Sequence, residues 1–217
     1  MSDDLFSLDE LLQRLPIQDA EIYYMRTLEL AEPPSSLADK LIAETPWRAE
    51  TIVVWGKVFP QPRLIAWYGD TGRRYTYSGI RMEPLPWTER LLDIRRRVQE
   101  VAGFEFNSVL LNYYRNNRDS MGLHSDDEPE LGPKPIIASV SLGQERTLIF
   151  KHKTAAALRP VRLPLASGSL LLMKGDTQCN WKHGINKEDR SCGARVNLTF
   201  RRIQIDEVVD SAPRRTL

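Results

Sequence analysis

The change in residue pattern after Asn107 constrains the fold of this chain more than any other feature. Six short β-rich runs follow, separated by turn residues and without helical patterns between them, over 109–114, 136–142, 147–151, 161–165, 169–173 and 194–203. Many short strands without intervening helices are typical of a β-sandwich or jelly roll. The segment 51–80 is also rich in β-forming residues. We therefore predict a mainly β protein (α+β) with a jelly-roll core and flanking helices.

Three segments have the period of an amphipathic helix. Leucines recur at helical spacing before Pro16, a capping pattern at Ser36 opens a second segment, and a third ends at Gly103. Their apolar positions are Leu5, Leu8, Leu12 and Leu15; Leu37, Leu41 and Ile42; and Leu91, Ile94, Val98 and Val101. We predict a helical extension over residues 1–50 that packs on the core, followed by one domain over residues 51–217.

The composition of the 217-residue chain fits one soluble globular domain, with 41% hydrophobic and 27% charged residues. No apolar run approaches the roughly 20 residues that span a bilayer, and the first residues are acidic, unlike a signal peptide. Cys179 and Cys192 are too few for a disulfide framework. The net charge of +1 does not by itself indicate a nucleic-acid partner. We expect a monomeric intracellular protein without membrane contact, cytoplasmic in a bacterium or nuclear in a eukaryote.

The motif His124-Ser-Asp126 points to a metal site, together with a third histidine, His183, far downstream. In a strand, side chains at i and i+2 point the same way, so His124 and Asp126 can chelate one ion. Two imidazoles and a carboxylate leave three metal positions open, as in non-haem Fe(II) oxygenases. The alternatives are a surface turn, or a zinc site using the two cysteines, for which a fourth ligand at ordinary spacing is missing. The remaining histidine, His152, is predicted to be exposed and uninvolved.

The run Arg195-Val-Asn-Leu-Thr-Phe-Arg201 alternates polar and apolar side chains. One face would pack, while the other carries two guanidinium groups, an amide and a hydroxyl, which are costly to bury without partners. A dicarboxylate such as 2-oxoglutarate would supply those partners, because a planar guanidinium can bind a carboxylate through two hydrogen bonds. Asn112 and Tyr114, also at i and i+2, offer donors from a neighbouring strand. The alternative is an edge strand whose polar face lies in water.

These residues resemble the AlkB family of Fe(II)- and 2-oxoglutarate-dependent dioxygenases. The similarity runs from 54 to 203 and includes Pro135-Ile-Ile-Ala-Ser-Val-Ser-Leu-Gly143 and Val161-Arg-Leu-Pro-Leu-Ala-Ser-Gly-Ser-Leu-Leu171. The resemblance implies a double-stranded β-helix (jelly roll) that holds iron through His124, Asp126 and His183. It also implies that 2-oxoglutarate is bound by Asn112, Tyr114, Arg195, Thr199 and Arg201, with Asn197 supporting that pocket.

Within this family, the chain resembles most the homologues that repair alkylated bases in duplex DNA. The resemblance implies that Fe(II), 2-oxoglutarate and dioxygen are used to hydroxylate the N-methyl group of a base such as 1-methyladenine or 3-methylcytosine. Succinate and carbon dioxide would be co-products, and the hydroxymethyl base would release formaldehyde. The expected partner is DNA with alkylated bases, preferred over RNA. The rivals are an RNA demethylase or another 2-oxoglutarate hydroxylase, and a non-catalytic nucleic-acid-binding jelly roll.

The resemblance also implies substrate contacts, mainly from a nucleotide-recognition hairpin region over residues 51–80. Val54-Trp55-Gly56 matches a finger that enters the base stack, and a tyrosine pocket would hold the flipped base opposite His124. Two acidic residues would receive the exocyclic amino group of that base. The implied substrate-binding residues are Trp55, Gly56, Lys57, Tyr75, Thr76, Tyr77, Asp127 and Glu128. For Trp55 and the tyrosines the alternative is an ordinary core aromatic.

Two departures from a duplex-repair relative affect the expected DNA contacts. Ile65 stands where that relative has a polar residue, which weakens the expectation of contacts to the complementary strand. The loop 186–190 mixes basic and acidic residues where the relative is more uniformly basic. The sequence therefore predicts weaker binding to duplex DNA.

Overall fold

The computed structural model describes residues 12–54, 57–71, 75–77, 80–82 and 84–204, without the side chains of 52–57 and 72–83. The strands are β1 Gln13–Arg14, β2 Glu21–Met25, β3 Thr51–Val54, β4 Lys57–Pro60, β5 Leu64–Gly69, β6 Tyr75–Tyr77, β7 Ile80–Met82, β8 Ser108–Tyr114, β9 Met121–His124, β10 Ile137–Gly143, β11 Arg146–His152, β12 Val161–Leu165, β13 Ser169–Lys174, β14 Trp181–Ile185 and β15 Arg195–Arg201. The helices are α1 Pro34–Glu44, α2 Glu89–Ala102 and α3 Thr177–Asn180, with a 3-10 turn at Pro129–Leu131.

Two antiparallel sheets form the body of the protein. The large sheet has seven strands in the order β1-β2-β13-β10-β15-β8-β5, and the small sheet has four in the order β12-β11-β14-β9. The hairpins β3–β4 and β6–β7 form two separate two-stranded sheets. This arrangement confirms the predicted jelly-roll class. Because β15 lies between β10 and β8, the alternative of a polar edge strand is wrong.

The large sheet is buried on both faces. Helices α1 and α2 cover one face through a core that includes Leu41, Val98 and Phe200. The other face packs against the small sheet through a second core, which contains Leu110 of β8 and Phe150 of β11. Alternation along β15 therefore turns its apolar residues towards the helices and its polar residues into the space between the sheets.

The predicted helix that ends at Gly103 is confirmed. Thr88 caps α2 by accepting a hydrogen bond from the Leu91 amide at 3.3 Å, and Gly103 ends it with a φ of 60°. The second predicted helix is present as α1, but it begins at Pro34 and not at the capping pattern of Ser36. Proline at the first helical positions has its φ already set for a helix, which explains the earlier start. Within the described ranges, no helix has the length and apolar character needed to cross a membrane.

The region 1–50 contains strands as well as a helix. Strand β2 joins the large sheet beside β13, with Ile22 fully buried. The predicted helix through Leu15 is wrong over Gln13–Arg14, which form β1, and its earlier part, including Leu5 and Leu8, lies outside the described residues. The division of the chain at residue 50 stays a prediction.

We expect Gly103→Ala to lower the free energy of unfolding by about 1 kcal/mol, because an L side chain is strained at positive φ. The added methyl group itself would meet no atom within 4 Å. Urea unfolding of the two proteins measures the difference. Gly122→Ala is the matched control, since its methyl group also meets nothing within 4 Å and no positive φ is present there. Equal stability of Gly103→Ala and wild type would contradict this explanation of the helix end.

Candidate metal centre and cosubstrate pocket

The structure brings His124, Asp126 and His183 together. His124 ends β9 and lies directly opposite His183 of β14, with ring centroids 4.4 Å apart. One potential ligand atom from each of the three residues lies within 4.8 Å of the others. Asp126 is 1% exposed, so its carboxylate points into the protein. Two imidazoles and one carboxylate in this arrangement can bind one face of an octahedral metal ion.

Asp126 is held as a carboxylate by its neighbours. Its Oδ1 accepts hydrogen bonds from the Arg201 guanidinium, including one from Nε at 3.1 Å, and His183 Nε2 lies 3.4 Å from Oδ2. Burial alone raises the pKa of Asp126, but the charge of Arg201 and the neighbouring His183 outweigh it and hold the pKa well below its usual range. Asp126 is therefore ionised at neutral pH, which is the state that binds a cation.

His124 is neutral because, unlike for Asp126, burial dominates its pKa. Burial and then the nearby His183 lower the pKa of His124 to about 4. Its Nδ1 lies 3.0 Å from the Gly122 carbonyl, so a proton on Nδ1 leaves the Nε2 lone pair for a metal. Oδ2 of Asp126 is buried without a hydrogen-bond partner among the described residues. The available donor atoms therefore fit a metal ion.

A bulge in β9, opposite Gly184 of β14, lies where the two histidine strands meet. His183 pairs with His124 and Ile185 with Met121, so Gly184 alone faces two residues of β9, Gly122 and Leu123. A Cβ at Gly184 would lie 2.7 Å from the Met121 carbonyl oxygen and 2.9 Å from that of Gly122. Only glycine permits this approach of the two backbones, which places His183 opposite His124.

A pocket between the sheets joins the metal cluster to the polar face of β15. It is lined by the three cluster residues together with Tyr114, Met121, Ser139, Leu148, Leu165, Leu171, Met173, Gly184, Ile185, Arg195, Asn197, Thr199 and Arg201. The predicted metal and cosubstrate residues therefore share one pocket, except Asn112, which is the cross-strand neighbour of Asn197.

Arg195 has unused hydrogen-bonding capacity in this pocket. It is 2% exposed, and its Nη2 donates to the Ser141 hydroxyl at 3.0 Å. Its Nε and Nη1 have no hydrogen-bond partner among the described residues. Burial lowers the pKa of Arg195, and unsatisfied buried donors are costly. A carboxylate would satisfy both nitrogens, so Arg195 fits the predicted 2-oxoglutarate site.

Arg201 differs from Arg195 in its contacts. Both were expected from the sequence to bind 2-oxoglutarate, but the guanidinium of Arg201 hydrogen-bonds to Asp126. Arg201 therefore connects the cosubstrate side of the pocket to the metal side, and its own contact with 2-oxoglutarate stays a prediction.

A hydrogen-bonded network supports the middle of the pocket. Asn197 faces Asn112 across β15 and β8, with 3.4 Å between Asn112 Nδ2 and Asn197 Oδ1. Thr199 Oγ1 donates to the same Asn197 oxygen at 3.0 Å, and Asn197 Nδ2 donates to Ser139 Oγ at 2.7 Å. Arg63 donates from Nε to Asn112 Oδ1 at 2.7 Å. The network holds the amide groups in one orientation.

Sequence reasoning missed Arg63, Ser139 and Ser141, which hydrogen-bond to Asn112, Asn197 and Arg195 respectively. The two serines stand at i and i+2 of β10, the same spacing that identified His124 and Asp126. That alternation was available as a signal. Arg63 lies just before β5 and reaches Asn112 through tertiary packing, for which the sequence has no local signal.

The predicted base-binding residues are only partly described. Trp55 and Gly56 lie outside the described residues, although Val54 pairs with Lys57 across the hairpin β3–β4. Tyr75, Thr76 and Tyr77 form β6, and their side chains, like that of Lys57, lie outside the description. Asp127 is exposed and pairs with Lys153 Nζ at 3.0 Å, while Glu128 is half-buried. Their roles stay predictions.

The prediction of an exposed His152 is wrong. Its side chain is 6% exposed and packs edge-on against Trp181, with ring centroids 5.0 Å apart. Its Nδ1 accepts hydrogen bonds from the amides of Thr154 and Ala155. Burial of the ring on Trp181 overrides the polarity of the flanking lysines. Neither cysteine belongs to the metal-binding cluster found among the described residues, which argues against the zinc alternative.

Comparisons with a family model and with known proteins point to the same family. The sequence model of the 2OG-Fe(II) oxygenase superfamily matches residues 22–201. The chain is 43% identical over 178 residues to human alpha-ketoglutarate-dependent dioxygenase alkB homolog 3, covering 78% of this chain and 62% of that protein. It is 44% identical over 179 residues to mouse DNA oxidative demethylase ALKBH2, covering 76% and 75%.

The chain spans about three fifths of the length of the alkB homolog 3 proteins that it matches. Among solved structures, it is similar to that of OsALKBH1, with a TM-score of 0.62, 14% identity and coverage of 88% of this chain and 99% of that one. At this identity the similarity concerns the fold, which is the one described above.

We expect Asp126→Asn to weaken divalent metal binding at least about 100-fold, because it removes an anionic ligand. Titration of Mn(II) into metal-free protein, followed by electron paramagnetic resonance, measures the affinity. Asp127→Asn is the matched control, since it neutralises the adjacent exposed carboxylate and should leave Mn(II) binding unchanged. Wild-type Mn(II) affinity in Asp126→Asn would remove Asp126 from the ligand set.

Proposed function

Since the chain belongs to the AlkB family within the 2OG-Fe(II) oxygenase superfamily, we propose that it repairs DNA by oxidative removal of alkyl groups from N-alkylated bases. The cofactors of this family are Fe(II), 2-oxoglutarate and dioxygen. One observation carries the proposal: the cluster of His124, Asp126 and His183 shares a pocket with Arg195, whose buried guanidinium has two nitrogens without a partner among the described residues. A keto-acid-dependent oxygenase needs a metal site and an anion site side by side.

We assign the metal to His124, Asp126 and His183. When bound, Fe(II) and 2-oxoglutarate supply the oxidation, in which the keto acid is decarboxylated to succinate. The low pKa of Asp126 keeps this ligand ionised, and the low pKa of His124 keeps the imidazole neutral, so both present lone pairs at neutral pH. Arg201 fixes the direction of the Asp126 carboxylate through two hydrogen bonds.

We assign 2-oxoglutarate to the polar face of β15. Arg195 would bind a carboxylate through the two nitrogens that lack partners. Tyr114, Asn197 and Thr199 line the same pocket. The side chain of Asn197 is held in its orientation by a hydrogen bond from Asn112. Apolar side chains close the remaining walls and limit the access of water, namely Leu148, Leu165, Leu171, Met173 and Ile185.

The proposed substrate is DNA that contains bases such as 1-methyladenine or 3-methylcytosine, in preference to RNA. Support comes from the sequence similarity to a relative named DNA oxidative demethylase ALKBH2. A base in a duplex must be flipped out of the stack before its methyl group reaches the metal centre. Hydroxylation of the N-methyl group gives an N-hydroxymethyl base, which loses formaldehyde and regains its N–H or its free ring nitrogen.

We place the base contacts on the hairpin region and on the residues after Asp126. Trp55 would fill the gap in the base stack, and Asp127 with Glu128 would receive the amino group of the flipped base. Asp127 is paired with Lys153 at 3.0 Å, so the base would share or replace this partner. We also propose that the protein is monomeric and intracellular.

The direct test is formaldehyde release from methylated single- and double-stranded oligonucleotides, with and without Fe(II) and 2-oxoglutarate. We expect one succinate per formaldehyde and no release without either cofactor. His124→Ala should abolish release while DNA binding, measured by fluorescence anisotropy, stays intact. His152→Asn is the control, since its amide oxygen can replace the acceptor Nδ1 and this residue lies outside the cluster.

Each other outcome of this assay contradicts part of the proposal. Faster release from methylated RNA would identify an RNA demethylase, and succinate without formaldehyde would identify a hydroxylase of another substrate. Binding of DNA without any succinate would identify a non-catalytic protein. Turnover retained in His124→Ala would reject the metal assignment.

We expect Trp55→Ala to reduce repair of duplex DNA more than repair of single strands, because only a duplex leaves a gap to fill when a base is flipped. Formaldehyde release from the same methylated oligonucleotide, alone and annealed to its complement, measures this ratio. The single-stranded reaction is the internal control for folding and metal loading. Equal losses on both substrates would contradict the role of Trp55 as a finger.

A further inference from the structure

Arg146, the first residue of β11, is a buried arginine outside the set of residues assigned above. Its side chain is 0% exposed. Nε donates to Glu188 Oε1 at 3.0 Å and Nη1 to the Asn116 carbonyl at 3.2 Å. Nη2 donates to the carbonyls of Asp119, at 3.1 Å, and Asn186. Each of its three nitrogens therefore has a protein acceptor.

These acceptors belong to two loops that run from one sheet to the other. The loop 115–120 leads from β8 of the large sheet to β9 of the small sheet, and the loop 186–194 leads from β14 back to β15. The loops also hold each other: the Glu188 amide donates to the Asn117 carbonyl, and Asn117 Nδ2 donates to the Glu188 carbonyl, both at 2.9 Å. Arg146 thus joins the two crossovers at one point.

The four strands joined by these loops carry the two histidines of the metal cluster and the polar residues Tyr114, Arg195, Asn197, Thr199 and Arg201 of the pocket. Tyr114 ends β8 and lies opposite Arg195, which begins β15. His124 ends β9, and His183 lies in β14. On the large sheet, a change in the geometry of the two crossovers would move Tyr114 and Arg195, which adjoin the loops directly; Met121 and Ile185 adjoin them on the small sheet.

Tyr114 lies near two guanidinium groups with different bonding. Its ring centroid is 5.9 Å from Cζ of Arg146 and 5.1 Å from Cζ of Arg195. The donors of Arg146 are engaged by the loops, whereas Arg195 retains two nitrogens without a partner among the described residues. The first guanidinium can hold structure, and only the second has donors left for an anion.

We propose that Arg146 is a positioning residue that fixes Tyr114 and Arg195 in the cosubstrate pocket and so determines which length of 2-oxo dicarboxylic acid fits between Arg195 and the metal centre. The inference rests on the proposed function, since it concerns the cosubstrate of that site. Arg146 acts through Tyr114 and Arg195 and touches no cosubstrate itself. Lysine keeps its charge but lacks the planar fork that reaches several acceptors at once.

The experiment compares Arg146→Lys with Arg95→Lys. Arg95 is a matched control, because its guanidinium also stacks on an aromatic ring, 4.9 Å above Trp87, and pairs with a carboxylate, Asp70 at 3.1 Å, but it lies on α2 away from the pocket. Binding of 2-oxoglutarate, of the shorter oxaloacetate and of the longer 2-oxoadipate to the Mn(II)-loaded proteins is measured by calorimetry. Hydrogen exchange in 115–120 and 186–194 is measured on the metal-free proteins.

For Arg146→Lys we expect 2-oxoglutarate to bind about tenfold more weakly, as for loss of other residues that orient ligands. The preference for 2-oxoglutarate over 2-oxoadipate should narrow, and amides in both loops should exchange faster. Mn(II) affinity should stay unchanged, and KM for 2-oxoglutarate should rise more than kcat falls. Arg95→Lys should alter none of these. Glu188→Gln, which weakens one contact of Arg146, gives a smaller change in the same direction and serves if Arg146→Lys does not fold.

Unchanged length preference in Arg146→Lys, with wild-type exchange in the two loops, would overturn the inference. Equal weakening of Mn(II) and 2-oxoglutarate binding would also overturn it, since that result indicates general destabilisation. Failure of the wild-type protein to bind 2-oxoglutarate would instead reject the proposed function, so the two failures are distinguishable.

Discussion

The buried ion pair between Asp126 and Arg201 is the interaction on which the rest of the site depends. Asp126 follows β9 of the small sheet, and Arg201 ends β15 of the large sheet, so the pair bridges the two layers of the protein. A carboxylate buried without this partner would take up a proton and lose its capacity to bind a metal. Loss of either member of such a pair leaves a buried charge and costs about 3–5 kcal/mol. The pair therefore links the packing of the sheets to the ionisation of Asp126, a proposed metal ligand.

Much of this arrangement could be predicted from periodicity. The alternation over 195–201 indicated one packed and one polar face, and both are present on β15. The apolar stripe of α2 and the glycine that follows it predicted the position and the end of that helix correctly. The spacing of His124 and Asp126 indicated a shared direction, and the two residues do converge with His183. These features depend on neighbours within a few residues, which a sequence displays directly.

Other features depend on partners that are distant in sequence. The predicted β-rich runs did not include β14 or most of β9, because glycines and charged residues interrupt their apolar pattern, although both strands carry histidines of the cluster. The two arginines of β15 looked equivalent, and only the positions of Asp126 and Ser141 distinguish them. His152 looked exposed because its burial comes from Trp181, far along the chain. In each case the deciding contact is tertiary, and local propensity does not contain it.

The close approach of β9 to Gly184, opposite the bulge, limits which residue a homologue can have at this position. A methyl group at this position would collide with two carbonyl oxygens of β9 and force the histidine-bearing strands apart. A homologue could thus have all three ligand residues and still be unable to chelate iron, because the distance between the ligand atoms depends on the spacing of the two strands. The identity of a residue that touches no metal belongs to the signature of a functional enzyme as much as the ligands do.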